Sequence, residues 1–396
     1  MYTGELPAGE YVVLVKNAAD AKYLYNPMVV SAYFTDANEA DSLTASDTLS
    51  ADSDFTGGAY AKRTEIPLDK EITDADGVTI KDDDSDDGSQ ADDLGVGDTG
   101  TFTIRTQFPA WSDAYKAKGV MFTLTDTQDD GFDAPAKADI KVKVGGRDVT
   151  AAAARYTVTI SGNDFTIEFN SDYALANAGK QIEVTYKAKL NANAAQKFDP
   201  NNDTVELKFT NDAYDKNDIT TLTDDVQEYT FPVSIKKVGE ENEALSGAEF
   251  TLTRTDAGNK TGTNSYTVAT GTNGMATFNR LDEGTYKVVE TKAPTGFAIN
   301  PDEFEVKIVP EYNTDGSLKN YKVTMKNTTK GTDVGSITVD NADADILAGN
   351  IMDTELQRLP STGGEGRTTL IAVSAALLVL TVVLITAANK TKKLSK

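Results

Sequence analysis

Cysteine and histidine are both absent from the 396 residues of this chain, and tryptophan occurs once. Without thiols there are no disulfides and no thiolate nucleophile. Without imidazole there is no Ser–His–Asp triad and no zinc site of the usual kinds. Positive charge is scarce too: 38 Lys and Arg stand against 62 Asp and Glu, a net charge of -24 at pH 7. Neutralising phosphates takes clustered cations, so this balance argues against a nucleic-acid partner. A conventional hydrolase or oxidoreductase is therefore not expected, and neither is a cofactor. The length suggests two or three domains.

Long apolar runs are missing except at the C-terminal end. Residues 370–388 carry no charge, which is long enough for a helix to cross a bilayer. Lys390, Lys392, Lys393 and Lys396 follow, and the positive-inside rule places them in the cytoplasm. The expectation is a transmembrane helix at 369–389 and a basic tail at 390–396, with the rest of the chain outside. Just before the span stands Leu359-Pro360-Ser361-Thr362-Gly363. This LPxTG motif, apolar span and short basic tail together resemble the cell-wall sorting signal of Gram-positive surface proteins. The resemblance implies that a sortase cuts between Thr362 and Gly363, holds Thr362 as an acyl-enzyme and passes it to an amine. The product would be joined to peptidoglycan or to another subunit. Pro360 keeps Leu359 extended, as suits a peptide lying in a groove. At the other end MYTGELPAGEY has neither the basic nor the apolar region of a signal peptide. A sortase substrate must be exported, so residues 1–62 are read as the remnant of a larger N-terminal domain.

Between these ends the chain alternates apolar and polar residues with period two. TFTIR at 101–105, YTVTI at 156–160, FTIEF at 165–169, IEVTY at 182–186 and VELKF at 205–209 each read as a half-buried strand. Asp76-Gly77, Gly145-Gly146, Ser161-Gly162-Asn163 and Asp315-Gly316 supply the turns. Helical periodicity is rare outside the span, with one short turn at 174–179. The fold class is all-β, in tandem β-sandwiches. Similar openings, IPLDKEI at 66 and VSIKKV at 233, mark two modules at 63–231 and 232–357. The acidic segment 74–98 fits an EF-hand frame only in part: Asp83, Ser85, Asp87 and Gly88 are in register, but Leu94 stands where a bidentate Glu is needed. It is read as a solvated loop, and no metal site is expected.

In the last module, SIKKVGEENEALSGAEFTL from 234 and TYKVVETKAPTGF from 285 resemble a Cna-B-type immunoglobulin-like domain over 232–357. In that family a first-strand lysine bonds covalently to an Asn or Asp of the last strand, assisted by a buried Glu. The resemblance makes Lys237 the amine and Glu290 the acid. Lys237 is preferred to Lys236 because Val233, Ile235 and Lys237 share a strand face. The acceptor stays open between Asp353, which stands in the family's usual place, and Asn350 or Asn327.

The middle module resembles the isopeptide-forming domain of sortase-assembled backbone pilins, through PLDK at 67–70, FTLTDT at 122–127, VTYKAKLN at 184–191 and TVELKFTND at 204–212. That resemblance implies Lys70 as amine, Asp126 as assisting acid and Asn211 as acceptor. Burial is expected to strip the lysine of its proton, making it a nucleophile, and to keep the acid neutral so that it relays protons. LPAGEYVVLV at 6–15 and YLYNPMVVS at 23–31 resemble the closing strands of a pilin's first domain. Lys62, in Tyr60-Ala61-Lys62, then takes the place of the lysine that such pilins present to the sortase acyl-enzyme. The whole is read as a shaft pilin in a covalent homopolymer that serves adhesion. The alternatives are a monomeric wall-anchored adhesin or a minor pilin at base or tip. An acidic Ca²⁺-dependent enzyme is a third class, without a convergent catalytic set.

Overall fold

A computed structural model describes residues 6–7, 9–14, 22–32, 48–49, 63–73, 79–80, 90–92, 94–150, 154–256, 262 and 264–356. Lys62, the sorting motif 359–363, the span 369–389, the tail 390–396 and loop residues Asp83, Ser85, Asp87 and Gly88 lie outside them. Among the described residues no helix is long and apolar enough to cross a membrane.

Period-two alternation dictates sheets with one face buried, and two six-stranded sheets form the middle sandwich. One runs in the order Arg147–Asp148, Lys141–Val144, Gln181–Lys189, Thr99–Gln107, Leu68–Thr73 and Thr79–Ile80. The other runs Tyr156–Ser161, Asp164–Phe169, Phe122–Gln128, Asn201–Thr210, Ile219–Glu228 and Gln90–Asp92, antiparallel except for its last pair. Ile72, Phe102, Ile104, Leu124, Phe165, Val184, Leu207 and Phe209 meet between them. All five strands read from the alternation are present. Gly145 and Gly146, both at positive φ (57° and 75°), close the Lys141–Val144 hairpin as an Asn-Gly-type turn would. The expected turn near 174 is a short helix, Ser171–Ala176, capped by Asn170, whose side chain accepts the Asp172 amide at 2.9 Å. Leu94 points into the core, fully buried, which suits a hydrophobic anchor and not a metal-binding loop end.

The N-terminal residues pair as Gly9–Val13 with Met28–Ala32 and Tyr23–Tyr25 with Arg63–Glu65. Asn26 fastens this segment to the middle sandwich: its amide donates to the Ala110 carbonyl at 2.8 Å and accepts from the Ser112 N–H at 2.9 Å.

The last sandwich sets a three-stranded sheet, Met275–Leu281, Phe231–Val238 and Leu347–Met352, against a six-stranded one. The order in the larger sheet is Ser265–Ala269, Glu249–Arg254, Gly284–Lys292, Glu303–Tyr312, Leu318–Asn327 and Thr332–Val339. First and last strands of this unit, Phe231–Val238 and Leu347–Met352, lie parallel, with Lys237 opposite Ile351. Core membership passes from one sandwich to the next between Val226 and Tyr229. Only Tyr229 and Thr230 separate the strands on either side, and the joint is bonded: the Lys197 ammonium donates to the Ala342 carbonyl at 2.6 Å and Arg280 Nε to the Ala194 carbonyl at 2.6 Å.

Close packing of the last strand leaves no room at Gly335, where an added Cβ would sit 2.1 Å from the Ala348 carbonyl oxygen. Backbone cannot swing aside as a side chain can. Gly335→Ala is therefore expected to destabilise the last sandwich by about 1–3 kcal/mol, read as a lower midpoint of its own unfolding transition with the middle sandwich unchanged.

Candidate functional site

Among the described residues each sandwich buries one lysine completely, and each of these lysines faces two carboxyl groups. In the middle sandwich Lys70 follows from strand parity, because Lys70 and Ile72 occupy the inward positions of Leu68–Thr73. Its ammonium crosses to the opposite sheet, where it donates to Asp126 Oδ2 at 2.6 Å and to Asp203 Oδ1. Register explains why the aspartates meet: Asp126 pairs with Val205 and Gln128 with Asp203, so they are diagonal neighbours on one face. All three side chains are fully buried. The rings of Phe102 and Tyr186 wall the amine at 5.9 and 5.6 Å. Tyr186 also presents its hydroxyl to Asp203 Oδ2 at 2.5 Å and to both oxygens of Asp126 at 3.1 Å. Gln128 Nε2 donates to Asp203 Oδ2 at 2.8 Å.

Two sequence expectations need correction here. Asn211 is not at this site. It lies just past the end of Asn201–Thr210, with its amide donating to the Thr220 hydroxyl at 2.9 Å. Asp203 stands beside Lys70 instead, 8 positions earlier (211 minus 203) and on the same strand parity; at about 3.3 Å per residue the two are far apart. Nor does burial by itself neutralise the lysine. Burial acts to lower the Lys70 pKa, but the charges of Asp126 and Asp203 outweigh it and hold the pKa above the ordinary lysine value. The carboxyl of Asp126 goes the other way: burial, reinforced by the charge of Asp203, pushes it well above the usual range despite the attraction of Lys70. For the amine to become nucleophilic its proton would have to pass to a neighbouring carboxylate, a transfer that moves no net charge into or out of the core.

The last sandwich repeats the scheme. Lys237 faces inward from Phe231–Val238 and its ammonium donates to Asp353 Oδ1, with Glu290 Oε1 at 3.1 Å. Asp353 follows the parallel last strand and is locked there by its own N–H, which donates to the Val238 carbonyl at 2.9 Å. Glu290 comes from the opposing sheet and accepts the Asn300 N–H at 2.6 Å. Burial raises the Glu290 pKa against the pull of that N–H and of Lys237. The alternatives are elsewhere: Asn350 is exposed and pairs with Lys236, and the Asn327 amide donates to Asp302 at 2.8 Å. Both clusters hold an amine against the oxygen of one carboxyl group with a second carboxyl group at hand, the groups that an amide condensation and its proton relay would use.

Tyr186 and Gln128 were not singled out from the sequence. Parity would have placed Tyr186 inside, since Ile182, Val184 and Tyr186 are all buried on one strand face. No sequence signal distinguishes Gln128 from any strand-end glutamine.

Residues 231–329 match the SpaA prealbumin-like fold domain, and residues 95–222 match the Sgo0707 N2 domain. Platelet adherence protein A of Streptococcus gordonii is 34% identical over 95 residues, which is 24% of this chain and 2% of that protein's length. The T6 backbone pilin of serotype M6 Streptococcus pyogenes superposes with a TM-score of 0.59 at 17% identity, covering 88% of this chain and 81% of that one. A 35 kDa C-terminal fragment of the major pilin GBS80 of Streptococcus agalactiae gives 0.50 at 19% identity, covering 73% and 100%. This chain therefore carries a SpaA prealbumin-like domain behind an Sgo0707 N2-type domain, and its fold is that of the Gram-positive backbone pilins.

Proposed function

We propose that this chain is a surface-pilus shaft subunit whose two sandwiches are each closed by a self-formed lysine–aspartate amide bond. Sortase would join Thr362 of one subunit to Lys62 of the next and finally attach the polymer to peptidoglycan, for adhesion. The chain acts as sortase substrate and not as an enzyme on other molecules. The observation that carries the reading is the pair of buried clusters around Lys70 and Lys237 in a chain without cysteine. Lys237 would condense with Asp353, assisted by Glu290, and Lys70 with a facing aspartate, Asp126 keeping the acid's role. Each condensation releases water, since both acceptors are carboxyl groups and not amides. Closing loops of 133 and 116 residues would restrict the unfolded chain by about 5 kcal/mol each, on the entropic account of a disulfide.

The mass of the soluble part tests the bonds: it is expected to be two waters below the mass calculated for the uncross-linked chain, and the full calculated mass refutes both. Polymerisation is tested separately by SDS gels of boiled wall extracts. Ladders that vanish in Lys62→Ala support the shaft; a single wall-linked species supports a monomeric adhesin or a minor pilin.

A further inference from the structure

Lys70 faces two aspartates, and their surroundings differ. Asp203 Oδ1 faces the ammonium, while Oδ2 of the same carboxyl receives the Tyr186 hydroxyl at 2.5 Å and the Gln128 amide at 2.8 Å. Asp126 has no such arrangement: the tyrosine hydroxyl straddles its two oxygens evenly, at 3.1 Å each, and one of them already takes the lysine. Two donors converging on a single oxygen of a carboxyl whose other oxygen faces an amine is the geometry of an oxyanion pocket.

We propose that Tyr186 and Gln128 form an oxyanion pocket on Asp203 Oδ2, and that this pocket makes Asp203 the acceptor and Asp126 the proton carrier. This rests on the amide-bond reading above. Lys70 Nζ bonds to Asp203 Cγ, and the electron pair of the C=O moves onto Oδ2, where both donors meet the growing charge. The Cγ–Oδ1 bond then breaks. The two protons that the ammonium gives up pass by way of Asp126 to Oδ1, which leaves as water. Oδ2 remains as the amide oxygen, still bonded to Tyr186 and Gln128, and Asp126 ends as it began. No oxidant, metal or other reactant is needed.

The surroundings fit both roles. Burial, with the charges of Asp126 and Asp203, holds the Tyr186 phenol far above its ordinary pKa, so it stays a donor throughout. Its ring stacks on Phe102, with centroids 5.1 Å apart and planes 11° from parallel, which fixes the hydroxyl's direction. Gln128 is 5% exposed, and its Oε1 has no hydrogen-bond partner. Gln128 also lines a polar cleft of about 450 Å³ with Asp129, Asn201 and Asn202.

The test is a pulse of cell-free synthesis of the full chain, quenched in acidic urea at intervals, with both cross-linked peptides quantified by mass spectrometry. Tyr186→Phe keeps the stacked ring and removes the hydroxyl; Gln128→Leu leaves the stack untouched and guards against a fold defect in the first variant. Each is expected to slow the Lys70–Asp203 bond on the order of 100-fold, while the Lys237–Asp353 bond of the same molecules closes at the wild-type rate. Equal slowing of both bonds signals general misfolding and overturns the assignment, as does wild-type closure in both variants. A wild-type bond from Lys70 to Asp126 overturns the pocket but spares the amide-bond reading; an uncross-linked wild-type Lys70 overturns both.

Discussion

Asp126→Ala is expected to leave the middle sandwich open: one water heavier by mass, and cut by trypsin into separate peptides bearing Lys70 and Asp203. Two losses add. The variant forfeits the loop restriction, about 5 kcal/mol for a bond across 133 positions, and leaves a buried cluster with one carboxyl fewer around its ammonium. At about 2–4 °C per kcal/mol for a unit of this size, the first loss alone should lower its unfolding midpoint by roughly 10–20 °C, and the second lowers it further. The transition of the last sandwich should hardly move, because its cluster shares no residue with this one. Asp353→Ala is the mirror experiment, lowering only the last sandwich. Unchanged mass and midpoint in Asp126→Ala rule out an assisting role for that aspartate.

The second large effect is one of pH. Asp224 accepts the backbone N–H of Lys70 at 2.6 Å, yet its pKa is raised to about 7. Burial is the main cause; the charges of Asp69 and Asp225 add to it, and the N–H groups of Lys70 and Asp225 offset only part. An acid whose pKa is raised by folding binds its proton more tightly in the native state. The native state thus holds the extra proton between about pH 4 and 7, and stability falls as pH rises through that window, then levels off. A rise from the ordinary carboxylate value to about 7 makes that loss roughly 4 kcal/mol. Asp224→Asn keeps an oxygen for the Lys70 N–H and removes the titration. It should flatten the pH profile of the middle sandwich and make it more stable than wild type at pH 8. A wild-type profile that is level from pH 4 to 8 contradicts this.

Most of the architecture was legible because alternation with period two reports burial directly. Lys70, Lys237 and Asp126 all sit at inward strand positions that parity identifies. The second carboxyl group that faces Lys70 in the middle sandwich, Asp203, was not legible. Asp203, Val205, Leu207, Phe209 and residue 211 all share one parity, so alternation cannot say which end of the strand meets the lysine. Register decides that, and register is a property of pairs: Gln128 opposite Asp203 sets it. In the last sandwich the sequence left Asp353, Asn350 and Asn327 open, and the structure puts Asp353, at the end of its strand beside Val238, against Lys237. The proton inventory of the clusters was illegible for a related reason. A buried lysine alone loses its charge, but one that meets two carboxyl groups keeps it, and only the folded arrangement brings the second carboxyl in.

The parallel neighbours Phe231–Val238 and Leu347–Met352 bear on how the last sandwich would yield to a pull. Drawn from its two chain ends, such a pair must slide one strand along the other, so its rungs break together. An antiparallel hairpin drawn at its open end peels one rung at a time. Independently of any covalent closure, then, this unit resists extension by shear, with a mechanical clamp where Lys237 meets Asp353.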